Sequence, residues 1–120
     1  MRETKWWTWH IAAGAIILIV LALHMLIMHL SSVVGAFNPS GGEAIAWANV
    51  LARSKMLSLV IAYILLLGAA LYHGLYGFRT ILFELGPKPA LQKIINVTFW
   101  IGGLALFALG TGAAIVAKML

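Results

Sequence analysis

Three long stretches without a charged residue determine what this chain can fold into. They cover residues 6–42, 56–78 and 94–117. A helix rises 1.5 Å per residue, so helices over 56–78 and 94–117 would be about 34 Å and about 36 Å long. The hydrocarbon core of a bilayer is about 30 Å thick. Each stretch is therefore long enough to cross a membrane as a helix.

Composition excludes several other classes of protein. The chain is 63% hydrophobic and 9% charged, whereas soluble domains are about 25% charged. It has no Cys, which excludes disulfides, thiolate metal sites, iron–sulfur clusters and thiol nucleophiles within it. The net charge of +5 comes from basic residues scattered singly, without the cluster that nucleic-acid binding requires, so we expect no nucleic-acid partner.

Local signals set the ends of the three predicted helices. Tryptophans at positions 6, 7 and 9 mark a membrane interface, and residues 38–42 form a cluster of turn formers. The run Leu85-Gly86-Pro87-Lys88-Pro89 is a helix stop. We therefore predict an all-α membrane protein with one transmembrane domain over 1–120, whose helices cover about 8–35, 55–84 and 90–118. Residues 43–51 are predicted to form a short interfacial helix.

Charge orients the three spans. One side would hold the N-terminus and the second connection, and the other side the first connection and the C-terminus. Cytoplasmic segments carry an excess of Lys and Arg. The first side has five such residues and the second has three, which predicts a cytoplasmic N-terminus and an outer C-terminus. The two sets are Arg2, Lys5, Arg79, Lys88 and Lys93 against Arg53, Lys55 and Lys118.

Four histidines, His10, His24, His29 and His73, lie in or at the edge of the spans. Intramembrane histidine is costly unless it is paired or ligated, so each is a functional hypothesis, with an interhelical hydrogen bond as the alternative. His24 would lie about 22 Å from the tryptophan interface and His73 about 9 Å from it. Since these depths differ by about 13 Å, His24 and His73 cannot ligate the same iron.

Two imidazoles at two depths, without a carboxylate or Cys in the spans, favour two stacked haems over a zinc or di-iron site. A haem in a helical bundle needs ligands from two facing helices. The chain offers no obvious second ligand for His24 or His73. We therefore expect the three helices to form half of a haem-binding bundle, completed by another subunit or a second copy of this chain.

Residues around His73 could support such a site. Gly77, four residues later on the same face, would let a flat macrocycle approach, or would be a helix-packing residue. Arg79 could reach a haem propionate or a quinone carbonyl, or anchor the interface. Tyr72 and Tyr76 could donate to propionates, although aromatic residues near an interface are usually anchors. His29 could contact the distal haem or a quinone, or be an interfacial histidine.

The segment 72–86 resembles the haem-ligand helix of the membrane anchor (cytochrome b) subunits of succinate dehydrogenase and fumarate reductase. In that family a His is followed four residues later by Gly, then by Arg and an acidic residue, as in His73, Gly77, Arg79 and Glu84. The first helix is similar to that of two-haem members. It has Trp9-His10, Gly14 four residues after His10, and His24-Met25 ten residues after Gly14. The two patterns cover residues 6–34 and 71–86.

The resemblance implies residue roles. His73 would be an axial ligand of the proximal haem, nearer the cytoplasm, and His24 an axial ligand of the distal haem. His10 and Arg79 would lie near the quinone and the haem propionates. Single-haem members often have Ser and Arg beside the first-helix histidine, where this chain has Trp7 and Ile11. That departure argues against a quinone site built mainly from this subunit.

The resemblance also implies a function. The chain would be a membrane subunit of succinate:quinone oxidoreductase (respiratory complex II, in the tricarboxylic acid cycle) in a bacterial or archaeal cytoplasmic membrane. It would bind haem b, two per complex, and pass electrons between an iron–sulfur subunit and quinone, the substrate. Its partners would be a second anchor subunit and a flavoprotein that performs the dicarboxylate chemistry. Two alternatives stay open, a b-type cytochrome subunit of another membrane dehydrogenase and a haem-free structural membrane protein.

Overall fold

A computed structural model describes residues 2–30 and 35–120 of the chain, with side chains from residue 4 onwards. The described residues form four α-helices and one short 3-10 turn, without a strand. The helices are α1 (Arg2–His29), α2 (Trp47–Ser54), α3 (Leu57–Glu84) and α4 (Pro89–Met119), and the 3-10 turn is Gly35–Phe37.

Three of these helices, α1, α3 and α4, are long and apolar enough to cross a membrane. The predicted all-helical class with three spans is confirmed. The predicted start of the first helix was wrong, because α1 begins at Arg2 and contains all three tryptophans of the predicted interface. It ends at His29, and part of the predicted segment up to 35 falls on residues 31–34, outside the described residues.

The α3–α4 connection follows the predicted stop signal. Gly86 has a φ of +70°, a left-handed conformation that glycine adopts without steric cost. Its N–H donates to the carbonyl of Phe83 at 3.1 Å, which closes the last turn of α3. Pro89 begins α4, where its missing N–H is not needed.

Helix α3 is central and packs against both α1 and α4. The helices alternate in direction, so the bundle has two distinct ends. We call the end with the start of α1 and the α3–α4 turn the basic end, and the end with residues 35–56 and the C-terminus the loop end. Across the loop end, Ser54 Oγ donates to the carbonyl of Ala117 at 3.1 Å. This is the predicted arrangement of termini and connections.

The bundle has almost no apolar core of its own. In the described part of the chain, four hydrophobic residues are buried and none of them is large: Ala13, Ala44, Val60 and Ala69. Large apolar side chains face outward instead, among them Leu18 at 74% exposed and Leu109 at 72%. A soluble protein does not expose such a surface, whereas lipid solvates it well. The chain therefore has transmembrane character.

Glycines bring α3 and α4 close together. A Cβ at Gly103 would lie 2.9 Å from Leu75 Cδ1, and a Cβ at Gly110 would collide with Leu67. At these two positions the absence of a side chain lets the helix backbones approach. Gly102 and Gly112 have open space around them, so they do not take part.

At the loop end a short helix is present, but α2 covers Trp47–Ser54 instead of the predicted 43–51, because residues 43–46 form a turn. Its Trp47 is 68% exposed, whereas Asn49 is completely buried. Asn49 Nδ2 donates to the carbonyls of Gly41 and Glu43, and its Oδ1 accepts from Ser40 N–H at 3.0 Å. Asn49 thus closes the loop before α2 by satisfying backbone groups that have no helical partner.

Arg53 of α2 joins this loop to α1. Its guanidinium donates to the carbonyl of Ala44 at 2.7 Å and to Asn38 Oδ1. Asn38 Nδ2 in turn donates to the carbonyl of Ile27 in α1 at 3.2 Å. Burial lowers the pKa of Arg53, but from a usual value so high that the guanidinium stays charged. The loop end is therefore a hydrogen-bonded cap over the bundle.

Candidate functional site

Two of the four histidines meet between α1 and α3 near the basic end. The imidazole rings of His10 and His73 are stacked, with their centroids 4.1 Å apart and their planes within 3° of parallel. His10 is only 8% exposed. The sequence prediction treated His10 and His73 separately and did not foresee this contact.

Each of these rings lies against a glycine of the opposite helix. A Cβ at Gly14 would be 3.1 Å from His73 Cε1, and a Cβ at Gly77 would be 3.2 Å from His10 Cε1. Since each glycine follows a histidine of its own helix by four residues, two identical His-x-x-x-Gly spacings face each other in antiparallel helices. We call these two facing segments, His10 with Gly14 and His73 with Gly77, the histidine–glycine pair. The space that we expected Gly77 to leave for a macrocycle is filled by the His10 ring.

A hydrogen bond determines which nitrogen of the neutral His73 ring carries the proton. Its Nδ1 lies 3.0 Å from the carbonyl oxygen of His10. A carbonyl oxygen only accepts, so Nδ1 must carry the proton. In the neutral ring Nε2 then has the lone pair, and this tautomer is the one that metal-ligating histidines commonly adopt when a carbonyl holds their other nitrogen.

Aromatic residues surround His10. Its ring centroid lies 5.0 Å from that of Trp7 and 5.3 Å from that of Tyr76. Within the described part of the chain, its Nδ1 is buried and has no hydrogen-bond partner. A buried polar atom left in this way costs about 1–3 kcal/mol. The histidine–glycine pair therefore holds one polar atom whose burial no hydrogen bond offsets.

Tyr72, Tyr76 and Arg79 form the next layer toward the basic end. The Tyr72 hydroxyl donates to the carbonyl of Trp6 at 2.8 Å, which joins α3 to α1. The Tyr72 and Tyr76 rings are stacked, with centroids 5.7 Å apart. Arg79 Nε donates to Asn96 Oδ1 at 2.5 Å and joins α3 to α4. The Arg79 guanidinium carbon lies 4.1 Å from the centre of the Phe83 ring.

Two grooves flank this layer. The α3/α4 groove has a volume of about 490 Å³, and the α1/α3 groove has a volume of about 480 Å³. Tyr76 and Arg79 line both of them. The α3/α4 groove is lined in addition by Trp6, Gly68, Leu71, Tyr72, Leu75, Asn96, Phe99, Trp100, Gly103, Leu104 and Phe107. The α1/α3 groove is lined in addition by Thr4, Trp7, Thr80, Phe83 and Glu84.

His24 and His29 lie elsewhere, toward the loop end of α1. Both are exposed, and neither has a hydrogen-bond partner among the described residues. Gly14 lies at the level of His73, and His24 follows it by ten residues, so His24 is about 15 Å further along the bundle. The structure therefore does not bring His24 and His73 together. The part of the chain that the structure describes contains no group of three or more His, Cys, Asp or Glu that could hold a metal ion.

The surroundings of His73 suit a haem only in part. The donor chemistry fits, because Nδ1 is held and the lone pair is on Nε2. The enclosure does not, because His10 covers one face of the ring and no histidine lines either groove. A macrocycle at Gly77 would have to displace His10. A haem at His73 would therefore need a second protein surface, as the sequence prediction of half a bundle requires.

The structure adds residues that sequence reasoning missed. Asn96 and Trp100 of α4 line the α3/α4 groove, whereas the sequence prediction assigns no site residue to the third helix. The signal available in the sequence was Asn96 itself, an amide side chain inside an apolar span, three residues after Lys93. For the histidine–glycine pair, the signal was the repeated His-x-x-x-Gly spacing.

Comparison of the chain with protein-family models, with curated proteins and with solved structures finds no match.

Proposed function

We propose that this chain is a haem b-binding membrane anchor subunit of a succinate:quinone oxidoreductase. The observation that carries the proposal is the hydrogen bond from His73 Nδ1 to the carbonyl of His10. It leaves Nε2 as the nitrogen with a lone pair, in a helix long and apolar enough to span a membrane. The resemblance of segments 6–34 and 71–86 to that family supplies the particular complex.

His73 and His24 would be the axial ligands of two haems. Their separation of about 15 Å along the bundle supports two irons at different depths. His24 is exposed on a surface that otherwise faces lipid, and an uncompensated histidine there is unfavourable. A second anchor subunit that covers this face would remove that cost and supply the missing ligands. Bound haem would supply a one-electron carrier between the iron–sulfur subunit and quinone.

The remaining residues would position these groups. The carbonyl of His10 orients the His73 ring, and the glycine at position 14 lets that ring approach α1. Arg79, Tyr72 and Tyr76 would contact propionates or the quinone at the basic end, which we place in the cytoplasm. The flavoprotein partner would carry out the chemistry on succinate and fumarate.

Haem content in the purified complex tests the proposal. We expect two b haems per complex in a pyridine haemochrome assay, one of them lost in His73→Ala and the other in His24→Ala. His29→Ala is the matched control for His24→Ala, because it removes another exposed histidine from α1. We expect this variant to keep both haems. A complex without a reduced-minus-oxidised b-type signal, or with a signal that both His24→Ala and His73→Ala leave unchanged, would overturn the assignment.

The co-purifying proteins test the particular complex. A flavoprotein and an iron–sulfur protein identified by mass spectrometry would support succinate:quinone oxidoreductase. Haem with other soluble partners would indicate the b-type cytochrome of another dehydrogenase. A colourless, stable preparation would instead indicate that the histidine–glycine pair is a helix-packing device.

A further inference from the structure

The α3/α4 groove has the length of one membrane leaflet. Its lining begins at Arg79 and Asn96 near the basic end and reaches Gly68 and Phe107 toward the middle of the bundle. On each helix these positions are eleven residues apart, which corresponds to about 16 Å. Half of a hydrocarbon core of about 30 Å is about 15 Å. The groove thus runs from one interface to about the midplane.

The chemistry of the groove changes along this length. Its deep part is apolar, with Leu71, Leu75 and Phe107, while Arg79 and Asn96 lie at the other end. None of the lining residues is acidic. The side of the groove is open, because Leu104 and Trp100 are 61% and 57% exposed. An elongated apolar molecule could therefore enter laterally from the bilayer, with a polar group at the Arg79 end.

Positive charge surrounds that end. Lys93 is exposed and precedes Asn96 by three residues, so it lies on the same face of α4, one turn nearer the basic end. Lys5 and Lys88 are also exposed at this end, and Glu84 is its only acidic residue among the side chains described. Basic pockets between transmembrane helices at the membrane surface favour anionic lipid head groups. The length of the groove and the positive charge at its end therefore both favour a ligand with an acyl chain and an anionic head group.

We propose that the α3/α4 groove binds an anionic phospholipid from the leaflet at the basic end. One acyl chain lies along Leu71, Leu75 and Phe107, and the phosphate lies beside Arg79 and Lys93. The site does not require haem, because no histidine lines the groove, although Arg79, Tyr72 and Tyr76 line it and are also proposed to contact propionates or the quinone. It also differs from a quinone site, because a phosphate carries a full negative charge that both Arg79 and Lys93 attract, whereas a quinone carbonyl only accepts a hydrogen bond.

Native mass spectrometry of the full chain with its co-purifying subunits tests this site. After detergent washing, phosphatidylglycerol and phosphatidylcholine are each titrated back, and the fraction of lipid-bound protein is measured. We expect phosphatidylglycerol to bind preferentially, and Lys93→Gln to weaken it by about fivefold, which is the effect of one charge near the surface. Lys118→Gln removes the same charge at the loop end, and we expect it to change nothing.

Leu104→Trp tests the acyl-chain half of the site without touching the charged end. We expect the larger side chain to fill the groove and to reduce retained phosphatidylglycerol by at least as much as Lys93→Gln does. Equal binding of the two lipids, equal effects of Lys93→Gln and Lys118→Gln, or full binding by Leu104→Trp would overturn the proposal. So would quinone retained in place of phospholipid. Haem content, measured on the same samples, separates a failure of this site from a failure of the proposed function.

Discussion

The two ends of the bundle both use polar side chains, but for different purposes. At the loop end, Asn49 and Arg53 donate to the carbonyls of Gly41, Glu43 and Ala44. These carbonyls belong to irregular backbone. Glu43 also accepts from Ala46 N–H at 3.0 Å, but the carbonyls of Gly41 and Ala44 would be unsatisfied without the side-chain donors. At the basic end, Tyr72 and His73 bond to carbonyls within α1. Those carbonyls already lie in a helical hydrogen-bond ladder.

This difference separates structural from functional polarity. The side chains of the loop end are needed because the backbone there cannot satisfy itself. The polar side chains of the basic end are not needed in this way, because α1 and α3 would keep their backbone hydrogen bonds without them. Polar groups that a membrane helix does not need for its own structure are costly, so they indicate a role beyond folding. The comparison therefore favours the basic end as the functional region.

The largest effect is expected at Asn49. Replacement by Ala would remove three hydrogen bonds and leave the Gly41 carbonyl and the Ser40 N–H without a partner, and we expect the free energy of unfolding to fall by about 3 kcal/mol. Denaturant titration in detergent micelles measures this change in the free energy of unfolding. Ser58→Ala, at an exposed polar position, is the control and should have almost no effect. A loss at Asn49 no larger than at Ser58 would contradict the structural role of the loop end.

An intermediate effect is expected at Gly14. A methyl group there would meet the His73 ring at 3.1 Å, whereas one at Gly74 would meet nothing. Ala is a better helix former than Gly by about 1 kcal/mol, but overpacking costs about 1–3 kcal/mol. We therefore expect Gly14→Ala to be less stable than Gly74→Ala by about 2 kcal/mol in the same titration. Equal stabilities would mean that the rings at the basic end are not closely packed.

The smallest effect is expected at Tyr72. Tyr72→Phe removes its hydroxyl from the carbonyl of Trp6, and such interhelical bonds in membranes are worth about 0.6 kcal/mol on average. Tyr63→Phe is the control, because Tyr63 is exposed and makes no hydrogen bond to a described residue. A loss at Tyr72 as large as that at Asn49 would erase the distinction between the two ends.

Much of the fold follows from local sequence. The end of α3 at Glu84 and the start of α4 at Pro89 agree with the predicted 84 and 90, because Gly86 and Pro89 act on the backbone where they stand. The start of α1 does not agree. The tryptophans at 6, 7 and 9 mark an interface, and the predicted start at residue 8 follows from them, but an interfacial residue can equally be helical. Aromatic residues indicate depth in the membrane and not the end of a helix.

The candidate site was less predictable. Each His-x-x-x-Gly spacing is visible in the sequence, but His10 and His73 are 63 residues apart, and their meeting depends on the register of α1 against α3. The small residues at 14 and 77 would permit several registers. Similarly, Asn49 is polar in a short amphipathic helix, and nothing nearby in the chain shows that it is completely buried.

By itself, the sequence determined that this chain forms three apolar helices of membrane-spanning length with a tight turn before the last. The physical reason is that hydropathy, helix length and turn formation are local properties. Only the tertiary structure decided that His73 stacks on His10 and bonds to its carbonyl, and that α3 and α4 enclose a groove ending at Arg79. These features require two helices to meet at one register and rotation, and that choice depends on packing across the whole interface.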